Sequence, residues 1–172
     1  FYDGKIEPYI DSGVIVAHGV IDEPHDCVND WGGTCPTAAE VDEAAKISKE
    51  YWPNLSTAVN TVGSYIRNQG YTWVHTDIIQ FQWAYHKYNG DLQAFINDAT
   101  SLLGQGKFRK LAWAIQAKSG GCETYQACSM STDQVKTVAK AMCDTGLGEW
   151  MLYVHYEPTL LATSGMDGAI EY

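Results

Sequence analysis

Charge is scarce in this 172-residue chain: only 19% of its residues are charged, eleven of them basic against twenty-one acidic. The resulting net charge of −10 repels a phosphate backbone on average, and no Lys/Arg cluster offsets it. Nucleic acid and anionic membrane surfaces are therefore excluded as main partners. Long apolar runs are missing too. Stretches such as Gly13–Val16 and Leu111–Ile115 are far too short to span a bilayer. No internal repeat or low-complexity tract occurs, which excludes a solenoid or propeller. The chain opens at Phe1-Tyr2 without Met or an apolar signal segment, as expected of a processed precursor or a trimmed recombinant chain.

Complete catalytic and metal motifs are absent as well. There is no Gly-x-Ser-x-Gly elbow, and Gly104-Gln105-Gly106 lacks the rest of a phosphate-binding loop. No His-x₃-His or Cys-x₂-Cys pair exists. His25-Asp26-Cys27 are sequence neighbours that rarely chelate one ion, so neither a metal nor another cofactor is expected. Glu149 and Glu157 share a strand face but lie roughly 26 Å apart in extended chain, too far for an acid/base couple. No local signature marks a cysteine nucleophile. If the chain is an enzyme at all, His75, Asp77 and His155 are the residues that distant strands would bring together; otherwise they are surface or hydrogen-bonded side chains.

What is present is enough apolar content, 45%, for a sizeable core in one domain, residues 1–172, with 1–12 and 158–172 as extended arms. Five cysteines (Cys27, Cys35, Cys122, Cys128 and Cys143) point to a secreted, disulfide-stabilised protein. Their odd number leaves one thiol free or paired with a second polypeptide. A bridge between Cys27 and Cys35 would support a loop with little apolar content. A second is expected between Cys143 and either Cys122 or Cys128. Asn54-Leu55-Ser56 is a glycosylation sequon. Six Trp and eleven Tyr are many for this length. Trp73, Trp83, Tyr85 and Tyr88 are candidates for stacking on sugar rings, with core filling as the plainer account.

Periodicity predicts strands over residues 13–21, 71–75, 110–118 and 149–157. It predicts helices from Thr37, through a Thr37/Glu40 capping box, to Trp52, over 92–103 and, through a Ser131/Gln134 box, over 132–144. Leu55, Ala58, Val59, Val62, Tyr65 and Ile66 also fall at helical spacing. Residues 78–88 fit both a strand, by the alternation of Ile79, Phe81, Trp83 and Tyr85, and a helix capped by Thr76; the helix is preferred. Polar residues on one face of each late strand (Gln116, Lys118; Glu149, His155, Glu157) favour an antiparallel sheet with helices packed on one face, an α+β fold.

The closing segment resembles the fungal killer toxins with a compact α/β-sandwich fold, those of smut-fungus viruses and the salt-mediated yeast toxin. The similarity rests on Ala112 to Gln116, the pair Cys122 and Cys128, Cys143 late in the next helix, and the run Gly148 to Tyr156. It implies an antiparallel sheet, secretion, and growth inhibition through a target cell's surface without catalysis. The expected partner is thus a cell-surface or cell-wall target. A carbohydrate-binding module and a small secreted hydrolase are the alternatives.

Overall fold

The structure, a computed structural model, describes residues 4–117, 121–123 and 129–154. Helices and strands alternate: α1 (Glu7–Asp11), β1 (Ala17–Asp22), α2 (Ala38–Tyr51), β2 (Ser56–Thr61), α3 (Gly63–Gln69), β3 (Ile78–Trp83), a 3₁₀ turn (Tyr85–Lys87), α4 (Leu92–Gly104), β4 (Lys110–Gln116), α5 (Thr132–Cys143) and β5 (Met151–Val154). The hydrogen-bonded strand order is β1-β2-β3-β4-β5. Among the described residues no helix is long and apolar enough to cross a membrane.

Contacts group the chain into two compact units. The first runs to Ile79 and takes in Gly106–Arg109. In it β1 and β2 pair in parallel from Ala17↔Ser56 to Asp22↔Asn60, with a bulge between Gly19 and Ile21. α2 connects these strands and touches both. Its start is fixed by the expected capping box, in which Thr37 accepts from the Glu40 N–H while the Glu40 carboxylate accepts from the Thr37 N–H. Val41, Ala45, Val59 and Ile66 form the buried centre.

The second unit takes Gln80–Gln105 and the described residues from Lys110 onward. Here β4 and β5 pair in parallel from Trp113↔Met151 to Gln116↔Val154, and α5 connects them. The Ser131/Gln134 box caps α5, and Val135, Val138 and Met142 are buried along it. Phe95 of α4 lies among Phe81, Trp83, Tyr88 and Trp113, with ring centroids 5.2–6.3 Å away.

The antiparallel α+β expectation is thus overturned: the sheet is parallel and the fold α/β. A helix that follows each paired strand carries the chain back to the starting end, so the next strand must run the same way. β4 pairs with β5 directly and in parallel, where the resemblance implied an antiparallel sheet. Other expectations shift locally. Residues 1–12 include α1, while 158–172 lie outside the described residues. Residues 55–66 split into β2 and the start of α3, and 71–75 form a loop. Residues 78–83 are the strand that the alternation suggested, not the preferred helix. The strand expected over 13–21 begins only at Ala17, and Val14 and Val16 are exposed.

Candidate functional site

The residues singled out as a catalytic set do not form one among the described residues. His75 and Asp77 sit just before β3, at the amino-terminal end of the strand. The Asp77 carboxylate accepts from Lys49 Nζ at 2.5 Å and Thr57 N–H at 3.0 Å, with Arg109 3.5 Å away. Burial works against its charge, but Lys49 and the Thr57 donors hold its pKa below the ordinary value. His75 contributes its backbone: its N–H donates to Asp42, and its carbonyl accepts from the Thr57 hydroxyl at 2.7 Å. At that end of a parallel sheet such a network reads as structural. His155 lies outside the described residues.

The aromatic candidates divide. Trp73 is buried, 2% exposed, between Tyr65 and Tyr71. Trp83 is equally buried, stacked on Tyr88 at 6.3 Å with its indole N–H donating to the Gly121 carbonyl. Neither offers a flat outer face; both serve the core. Tyr85 and Tyr88 are half-buried. Asn54 is exposed in the turn before β2.

Of the cysteines, Cys27 and Cys35 are bridged as expected, with Cα atoms 4.4 Å apart. Cys122 is disulfide-bonded. Cys143 is a free, exposed thiol, so its expected bridge to Cys122 or Cys128 is not formed. The helical face that buries Val135, Val138 and Met142 turns Cys143 outward. Cys128 lies outside the described residues.

One place in the second unit has the shape of a binding site: an open cavity of about 770 Å³. Trp83 and Tyr85 line it from the carboxyl end of β3, Gly121, Cys122 and Glu123 from the segment after β4, and Asp133 and Gln134 from the first turn of α5. Carboxyl ends of parallel strands are where α/β sheets collect ligands. Tyr85 lies against the bare Cα of Gly90, where a Cβ would come within 2.4 Å of its ring. Gly121 is held equally close, for a Cβ there would stand 2.1 Å from the Gln116 carbonyl. Among the described residues the charged lining is Glu123 and Asp133, with no Lys, Arg or His. Sequence reading found Tyr85 and Trp83 but missed Glu123 and Asp133. Neither has a motif around it; the place of Asp133 behind an N-cap, in the first turn of a helix, was the one available signal.

In the first unit, Glu23, Asp26 and Asp30 follow β1 with carboxylate oxygens within 4.8 Å of one another. Nearby, Asn60 donates to Asp22 at 2.9 Å, and the Thr61 hydroxyl meets His25 Nδ1 at 3.3 Å. Glu23 and Asp26 are half-buried and Asp30 is exposed, and acids in a loop commonly cluster so without an ion. Comparison of the chain with family models, curated proteins and solved structures gave no significant match.

Proposed function

We propose that this protein binds a neutral carbohydrate in the cavity at the carboxyl ends of β3 and β4. The observation that carries the reading is the lining: the Tyr85 ring beside two carboxylates, Glu123 and Asp133, with no cation among the described residues. Sugars offer an apolar ring face to an aromatic and hydroxyl donors to carboxylates, whereas an anionic ligand would meet the like charge of Glu123 and Asp133. Extracellular residence fits the bonded cysteines, and a cell-wall or cell-surface glycan is the target this implies. The parallel sheet departs from the sandwich that the killer-toxin likeness implied, so the binding reading rests on the cavity and not on that likeness.

A glycan array probed with the intact chain, followed by calorimetric titration of any glycan bound, tests it. Neutral glycans are expected to bind, and Tyr85→Ala to weaken them at least tenfold, about 1.4 kcal/mol. Absence of any neutral hit, or equal binding by the variant, would overturn the reading. Preference for a cationic ligand would assign the two carboxylates to charge pairing instead.

A further inference from the structure

We infer that the first unit carries a separate binding site for a small, uncharged aromatic molecule of the phenol type, between β1 and α2. A cavity of about 350 Å³ opens there, lined by His18 and Val20 of β1, Ala44, Ile47, Ser48 and Tyr51 of α2, and Trp52. Its size falls at the small end of ligand pockets, which suits one ring with a short substituent. Among the described residues no Asp, Glu, Lys or Arg side chain lines it. In a chain of net charge −10 this is a neutral, mostly apolar recess, and an ionic ligand would lose its hydration without gaining a partner.

Its polar lining includes one hydrogen-bonded pair. His18 Nδ1 and Ser48 Oγ are hydrogen-bonded at 2.7 Å, and Ser48 is only 4% exposed. With Nδ1 engaged, Nε2 is the ring's remaining hydrogen-bonding atom, enough to orient one hydroxyl. Aromatic edges complete the wall: Trp52 stands edge-on to His18 at 5.4 Å, and Tyr51 is tilted against Trp52 at 6.0 Å. Ile47 and Tyr51 are 47% and 63% exposed, apolar surface that a bound ring would cover.

Two observations disfavour macromolecular occupants. Adding a strand to the outer side of β1 is opposed by the bulge at Gly19/Ile21, a common way of blunting a sheet edge. Self-association through this face would bring together two copies of charge −10.

Titration of the whole protein with p-cresol, followed by amide chemical shifts, tests the site. Saturable shifts around His18, Ile47 and Tyr51 are expected, with benzoate at least tenfold weaker. Ala44→Leu, which fills the recess, should weaken p-cresol at least tenfold at an unchanged thermal midpoint. Should that variant not fold, the surface change Tyr51→Ala should weaken it at least threefold. No saturable shift, equal binding of benzoate, or full binding by a folded Ala44→Leu would overturn the inference. So would concentration-dependent dimers abolished by Tyr51→Ala, which would assign the recess to a second copy.

Discussion

At Asp42, on the inner side of α2, one carboxylate holds a whole loop. It accepts from the backbone N–H groups of Val74, His75 and Thr76 at 2.8–3.1 Å and from the Tyr71 hydroxyl at 3.1 Å, while only 1% exposed. Burial disfavours its charge, yet the backbone donors of Thr76, His75 and Val74, with the Thr76 side chain, outweigh that and lower its pKa. Because the folded pKa is depressed, the stability Asp42 contributes is present above the unfolded carboxylate value, near 4, and is lost as pH falls through the folded one. Asp42→Ala leaves one buried donor and three part-buried ones unmet, at roughly 1–3 kcal/mol for the buried group and less for each of the others, so a loss of about 3 kcal/mol is expected in urea unfolding at pH 7. The acid limb of stability against pH should also be shallower in Asp42→Ala than in the wild type; an equally steep limb would show that other carboxylates carry it. None of this is legible beforehand. In the sequence Asp42 is one acid among the polar residues of an amphipathic helix, while its partners stand some thirty positions away. The sequence pattern marks His75 and Asp77 instead, which belong to the same loop.

Among elements, those written locally were readable and those written in tertiary contacts were not. Both capping boxes are four-residue signals, and each starts its helix where expected. Thr37→Ala should lower stability by about 1 kcal/mol, the usual cost of an N-cap. Glu40→Gln, which keeps a side-chain acceptor, should cost less. Paired thermal melts check the ranking, and equal losses would mean that the charge of Glu40 matters more than its geometry. Strand direction was misread at β4, where Leu111, Trp113 and Ile115 suggest alternation. Ala112 and Ala114 are fully buried as well, and five consecutive buried residues are the mark of a parallel strand covered on both sides. β3 concealed the same state behind Gln80 and Gln82, polar residues that are nonetheless buried. Over 55–66, a helical spacing arose by chance from two elements, with Val62 acting as the N-cap of α3.

Over the whole molecule, one of the two expected cysteine pairings, Cys27–Cys35, is formed, and the one that needs Cys143 is not. Pairing Cys143 with the 122–128 loop assumed that a half-cystine on α5 faces inward. Val135, Val138 and Met142 take the inner stripe, and one further residue along the helix turns the Cys143 side chain to solvent. Cys27 and Cys35, eight residues apart in a loop without a packed core of its own, met the geometric requirement directly. The consequence is chemical. In the native protein a thiol reagent should label Cys143 rapidly, whereas peptides containing Cys27, Cys35 and Cys122 should label only after reduction. Cys143→Ser should abolish native labelling and any disulfide-linked dimer that forms on air oxidation, and it should leave the unfolding midpoint unchanged because the side chain is exposed. Replacing Cys27 and Cys35 together should behave oppositely. Native labelling would persist, while stability falls by about 2–3 kcal/mol, the chain-entropy value for so short a loop. Peptide mapping with calorimetry of both variants reads the two outcomes, and protection of Cys143 in the native state would place it in a bridge after all.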